Sequence, residues 1–326
     1  MMKLLNKMIN VVAPSGNTEA ITSLLKDEVG SFFDNVYFDD LGSLILHRKN
    51  RGRRIMIAAS ADRSGILVTH VNRFGAVFFE KIGRIADDSL YGSTIKFESG
   101  ARGIVCENKN LSTATGDKKR KLFIDLIIGR VNVGDVGVLE PGFTFGESSV
   151  FGRCLGDIAG AYALAEAVKS ADGFGNNELY VVFAEFGALH NRGLKAVGFR
   201  INPEIAFCVG DCPAVARSIE NEYSCSTAAE FGGGVAIKFK DRSVVTNKAV
   251  RDRLASLAAE NNIDYQFSFT DDEDSMPGVL ELSGSGVACG EICVPVKHSG
   301  ICADTVSVLD LNHCIRLLAL LLKARF

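Results

Sequence analysis

Five short segments flank apolar stretches and carry the side chains best suited to chemistry. Ser60-Ala61-Asp62-Arg63-Ser64-Gly65 follows the apolar run at 55–59, and Gly152-Arg153-Cys154-Leu155-Gly156-Asp157 precedes an Ala-rich stretch. Ala184-Glu185-Phe186-Gly187-Ala188-Leu189-His190 follows 179–183, Gly210-Asp211-Cys212 follows 205–209, and Lys297-His298-Ser299-Gly300 follows 291–296. In open α/β sheets ligands bind beyond the carboxyl ends of the strands, so five such ends converging on one crevice predict a pocket. Asp62, Asp157, Glu185, Asp211 and His298 could hold metal ions there, because carboxylate oxygens and imidazole nitrogens are zinc donors. A simpler reading makes the same residues loop caps and ordinary hydrogen-bond partners. A third pairs Cys212 or Cys302 with His298 as nucleophile and base, although buried thiols are commonly inert.

Other motifs point away from chemistry. The pairs Cys208/Cys212 and Cys289/Cys293 lack the nearby histidine or second tight pair of a zinc ribbon, and several of the nine cysteines sit in apolar runs. The acidic run Asp271–Asp274 has no EF-hand pattern and reads as a solvated loop. Gly232-Gly233-Gly234 is followed by neither a helix start nor a lysine, so it reads as a flexible turn rather than a phosphate cradle. His47 and His313 are placed on surface faces of their elements, and His70 reads as a structural histidine.

These residues need elements to position them. Asn17 is expected to cap a helix whose apolar stripe is Ile21, Leu24, Leu25 and Val29. Strands are expected at 36–38 and 44–46, then a nearly all-apolar central strand at 55–59. From about Val68 to Val150 helical periodicity disappears, and short apolar runs alternate with Gly, Asp and Asn. That spacing predicts an inserted small β-barrel or sandwich, with the polar stretch 108–121 as a loop. Helix and strand texture resumes at Arg153 and ends in an amphipathic helix over 311–323. The expected fold is therefore α/β, a mostly parallel sheet flanked by helices. Its main domain comprises 1–67 and 151–326, and its β-rich insert 68–150.

The chain has 326 residues, 47% hydrophobic and 23% charged, with a formal net charge of −3. That balance gives no general attraction to nucleic acid or to an anionic membrane. No apolar run is long enough to span a bilayer, and no signal peptide is read at the start, so a cytoplasmic protein is expected.

The ordered set of motifs resembles the glutamyl-aminopeptidase and tetrahedral-aminopeptidase family, some of whose members are called endoglucanases. Ala13-Pro14-Ser15-Gly16-Asn17-Thr18-Glu19 is similar to the family's Pro-Ser-Gly-x-Glu start, and Asp40-Leu41-Gly42-Ser43-Leu44-Ile45 to its Asp-x-x-Gly-Asn-Leu. Asn191-Arg192-Gly193 and Ile201-Asn202-Pro203-Glu204 are similar to Leu-Arg-Gly and Ile-x-Pro-Asp. Leu282–Val287 and Cys293-Val294-Pro295 are similar to late motifs. The resemblance implies a zinc-aminopeptidase-like fold, a two-metal peptidase site and a homo-oligomer built from dimers.

The resemblance also implies that the metal residues do not carry over. The family's His-x-Asp falls on Ser60-Ala61-Asp62, and its bridging Asp on Gly156. Its Glu-Glu pair falls on Gly187-Ala188, its next Asp on Gly210 and its last His near Gly300. Gly, Ala and un-ionised Ser are not adequate donors for two zinc ions. Without metal a water keeps a pKa near about 16 instead of about 7, and without the Glu there is no positioned base. Adjacent strand positions point to opposite faces, so Asp157 or Asp211 would need a local backbone change to replace its neighbour. The expectation is a relative with no catalytic residues at Gly187 and Ala188 and no cofactor. It would bind a peptide or small ligand, or serve as an assembly subunit, and self-associate. The alternative is an active aminopeptidase with two zinc or cobalt ions on displaced ligands.

Overall fold

The computed structural model describes residues 2–107, 121–215, 229–270, 275–299 and 303–326. The acidic run Asp271–Asp274, Gly300, Cys302 and most of the polar stretch after Asn108 lie outside them.

The chain opens with helices α1 (Lys3–Asn10) and α2 (Glu19–Val29). The cap of α2 is Thr18 rather than the expected Asn17, and its hydroxyl is not spent on the helix. Strands β1 (Asn35–Phe38), β2 (Leu44–Arg48) and β3 (Arg54–Ser60) follow. The next stretch is β4 (Gly65–Val71), β5 (Val77–Ile82), the short α3 (Asp87–Leu90), β6 (Thr94–Phe97), β7 (Arg102–Glu107), β8 (Leu122–Ile128) and β9 (Val136–Leu139). These six strands close into a barrel in the order β4-β5-β8-β7-β6-β9. Strands β10 (Phe143–Phe145) and β11 (Ser149–Gly152) return to the main sheet.

Helix α4 (Gly156–Ser170) comes next, then β12 (Glu178–Ala184), α5 (Arg192–Ile201) and β13 (Ile205–Val215). The chain finishes through β14 (Ala229–Glu230), β15 (Val235–Lys240), α6 (Lys248–Glu260), β16 (Tyr265–Phe269), α7 (Met276–Leu280), β17 (Ala288–Lys297), β18 (Asp304–Ser307) and α8 (Val308–Lys323).

The main sheet is mixed. Its path runs β1-β2-β12-β3-β13-β17-β18-β11-β10, and β12, β3, β13 and β17 are parallel to one another. The flanking pairs are antiparallel. The central strands are apolar on both faces because helices cover both: in β3 every residue from Ile55 to Ala59 is buried. Helix α4 is buried almost all round, between the sheet and α8. Its close seat depends on Gly160, where a Cβ would lie 2.4 Å from the Val209 carbonyl oxygen.

Two placements correct the sequence reading. His47 is not on an open surface; it stacks on Tyr180 at 4.2 Å and sits between Asn35 and Glu178. His313 is buried. The glycine turn at 232–234 is also tied down, since the Gly232 and Gly234 N–H groups each donate to the Asp310 carboxylate at 2.8 Å.

Candidate functional site

The strand ends do converge. A cavity of about 400 Å³ opens beyond β3, β12 and β13, beside the first turn of α4 and under the barrel. Ser60, Asp62, Gly156, Asp157, Gly187, Ala188, Gly210 and Asp211 all line it. Glu185 and His298 do not, and His298 lies exposed in the turn after β17. Cys212 is wholly buried in a small cluster with Cys293, outside the lining, so it cannot serve as the proposed nucleophile.

Asp62 is saturated by the chain itself. Its carboxylate accepts from the Gly187 N–H at 2.8 Å, the Ala188 N–H at 2.9 Å and the Ser15 hydroxyl. The two N–H groups follow Phe186, whose φ of 59° is left-handed, a costly conformation for a non-glycine residue. Glu185 faces away, toward the N-terminal segment, and accepts from the Gly16 N–H at 2.7 Å and the Thr18 hydroxyl. Burial pushes the Glu185 carboxyl up to about 7.

A second group surrounds the start of α4. The Ser64 N–H donates to Asp157 at 2.6 Å and the Gly156 N–H to Asp304 at 2.8 Å. Arg63 is fully buried, donates to the carbonyls of Ile9 and Arg153, and exerts a favourable field on Asp157 and Asp304. Burial nevertheless raises Asp157 and Asp62, and pushes Asp304 up to about 7 with the Asp157 charge adding to the rise.

The third group forms the wall of β13, β15 and β17. Lys238 is buried, with Glu291 at 3.6 Å and Asp241 at 4.0 Å, both buried too. Burying an ionised group is tolerable only when it is paired in this way.

The glycines show what became of the space. At Gly156 a Cβ would lie 2.8 Å from Asp211 Oδ2 and 3.3 Å from Asp304 Oδ2. At Gly187 it would meet Ser60 Oγ at 2.3 Å and Asp62 Oδ1 at 2.6 Å, and at Gly210 it would meet Glu291 Oε1 at 2.9 Å. Neighbouring oxygens therefore fill the room that a side chain would take at each glycine. Asp211 and Gly210 lie within β13 rather than in a loop after it, and face different partners accordingly.

Sequence reasoning missed Arg63, Lys238, Glu291 and Asp304. For Lys238 and Glu291 a signal existed: each is a charge flanked by uncharged, mostly apolar residues within a strand, Val235-Ala236-Ile237-Lys238-Phe239 and Cys289-Gly290-Glu291-Ile292. Their strands pair through Ile237 and Ile292, which puts the two charges near one another.

A family model described as M42 glutamyl aminopeptidase matches residues 42–317. The chain belongs to the M42 family. A putative aminopeptidase of Acetivibrio thermocellus is 32% identical over 330 residues, covering 98% of this chain and 97% of that protein. Among solved structures, an aminopeptidase from the archaeon Desulfurococcus kamchatkensis superposes with a TM-score of 0.90 at 21% identity, over 99% of this chain and 94% of its own. The TET1 peptidase of Pyrococcus horikoshii, which assembles into a tetrahedron or an octahedral shell, gives 0.83 at 23% identity over 98% of both chains. These structural likenesses agree with the mixed sheet and closed barrel described above.

The resemblance that gives the M42 fold also implies two metal ions. Among the described residues no three His, Cys, Asp or Glu side chains gather as a metal-holding group. The Asp62 oxygens already accept three hydrogen bonds, and of the five alternative ligands Glu185 and His298 stand outside the cavity. No helix of the described residues is long and apolar enough to cross a membrane.

Proposed function

We propose that this M42 protein binds a peptide or other small ligand in the crevice without two-metal hydrolysis, and that it self-associates. In this reading the main sheet and its helices, expected over 1–67 and 151–326, form the binding domain, and the insert that roofs it is the barrel, whose strands run from Gly65 to Leu139 rather than over 68–150. The observation carrying the reading is the occupation of the Gly156, Gly187 and Gly210 side-chain spaces by Asp211, Ser60, Asp62 and Glu291. A zinc site needs donors at roughly 2.0–2.2 Å with lone pairs to spare, and here those oxygens stand among the chain's own donors and cations. Self-association is supported by the assembly of the TET1 relative.

The second reading is an active aminopeptidase with two zinc or cobalt ions on Asp62, Asp157, Glu185, Asp211 and His298. The aminopeptidase names of its relatives favour it. Purified protein reconstituted with zinc or cobalt and offered a set of short peptides separates the two. Binding by calorimetry with no release of amino acids supports the first reading. Chelator-sensitive release of amino acids establishes the second.

A further inference from the structure

The crevice lies beyond the carboxyl ends of β3 and β12, and the opposite ends of the same strands meet a concentration of positive charge. Five of the seven residues from Arg48 to Arg54 are cationic, in a chain whose formal net charge is −3. They span the turn between β2 and β3. Gly52 fixes that turn: its N–H donates to the Asn176 carbonyl at 3.0 Å, and a Cβ there would lie 2.3 Å from the same oxygen. The segment it leans on also holds the end of α8. The Gly175 N–H donates to the Leu322 carbonyl at 3.0 Å, and the Asn177 side chain donates to the Ala324 carbonyl at 2.7 Å. Lys323 and Arg325, both exposed, therefore stand beside the turn.

Folding leaves most of this charge open. Lys49 and Arg51 are exposed and make no side-chain hydrogen bond or ion pair among the described residues, and the same holds for Lys323 and Arg325. Arg48 meets Asp34 at 3.0 Å and Arg53 meets Glu204 at 3.1 Å, in pairs whose side chains are 37–52% exposed. Such surface pairs are weak, so a partner's carboxylates can replace them at little cost. Arg54 is engaged more fully, by Glu178 and by the Ile201 carbonyl. An ordinary solvated face intersperses both signs, whereas this turn has no carboxylate of its own.

We propose that the turn Arg48–Arg54, with Lys323 and Arg325, is a docking surface for an acidic segment of a partner polypeptide. Guanidinium forks take carboxylates in bidentate fashion, and four of the seven turn residues are arginine. The turn has no apolar side chain to enter a bilayer and no aromatic ring to stack on a base. Attraction at physiological salt is confined to about 8 Å, which suits a short acidic stretch. A long, densely charged polyanion would also meet the net negative remainder of the chain. The surface is roughly 20 Å from the crevice, the length of β3, so the inference is independent of what the crevice binds.

The test is fluorescence anisotropy of a rhodamine-labelled peptide of repeated Glu-Gly with the full chain, beside its Gln-Gly counterpart. The acidic peptide is expected to bind at least about tenfold more tightly at low salt. The double variant Lys49→Glu, Arg51→Glu is expected to abolish that preference. A charge-matched pair on the barrel, Arg73→Glu with Arg130→Glu, is expected to leave it within about twofold. All four side chains are exposed, so an unchanged melting temperature is expected and shows that each variant is folded. Equal affinity for the acidic and neutral peptides overturns the proposal. So does an equal loss in the barrel pair, which would mean attraction by net charge alone. Tighter binding of a short single-stranded DNA, or of vesicles rich in phosphatidylserine, that is lost in the turn variant assigns the surface to phosphates and overturns the acidic segment.

Discussion

On the barrel side of the crevice, Asp62 is held by two backbone N–H groups and a serine hydroxyl. On the wall of β13, β15 and β17, the buried ammonium of Lys238 stands 3.6 Å from Glu291 and 4.0 Å from Asp241, whose other oxygen accepts from the Ser243 and Val244 N–H groups and the Ser243 hydroxyl. Both arrangements keep carboxylates in an enclosed place, but they distribute the work differently. Backbone donors share the load, and the loss of one leaves the others. Lys238 brings a full charge that both buried carboxylates face, so removing it takes a counter-ion from two buried negative charges at once.

The sharpest break in that comparison is Lys238→Met. It is expected to destabilise the fold by about 3–5 kcal/mol in urea unfolding, with more than half recovered when Glu291→Gln and Asp241→Asn are added. A loss below about 1 kcal/mol for the single variant contradicts the pairing.

The next effect concerns protons. Burial holds Asp304 and Glu185 at about 7, above their ordinary values of 3.8 and 4.5. The native state therefore binds protons that the unfolded chain has released, and stability rises as pH falls from about 8 to about 5. Each group contributes about 2–3 kcal/mol over that window, and Asp304→Asn or Glu185→Gln removes its share of the slope. Unfolding curves at pH 5, 6.5 and 8 measure it, and a stability that climbs with pH across this range refutes it.

Smaller still is Gly187→Ala, whose new methyl meets Ser60 Oγ and Asp62 Oδ1. About 1–3 kcal/mol is expected to be lost, and Ser60→Gly in the same chain recovers part of it. Ser15→Ala removes one donor from Asp62 and is expected to lower stability by only about 1 kcal/mol, since two N–H groups remain. A loss as large as that of Lys238→Met erases the contrast between the two walls.

Much of this was legible in the sequence. Apolar runs located the strands that frame the crevice, and the strand-end rule located Ser60, Asp62, Asp157, Gly187, Gly210 and Asp211 on its lining. What escaped depended on direction rather than on identity. Glu185 follows its strand closely, as Asp62 follows β3, yet its carboxylate reaches Gly16 and Thr18, contacts across more than 160 positions that local pattern does not reveal. Asp304 reaches Gly156 across 148 positions, a contact set by the pairing of β18 with β11 and invisible to local pattern. Lys238 and Glu291 were hidden for the opposite reason. Each sat inside a run dominated by apolar neighbours, although a charge so flanked within a strand signals a buried pair.

The most direct test is metal content measured on protein purified without chelator, alongside the melting temperature with and without added chelator. The account predicts well under about 0.2 zinc or cobalt per chain and an unchanged melting temperature, because carboxylates engaged by N–H groups and Lys238 offer no two-metal donor set. About two metal ions per chain, with a melting temperature that falls several degrees when they are stripped, contradict it.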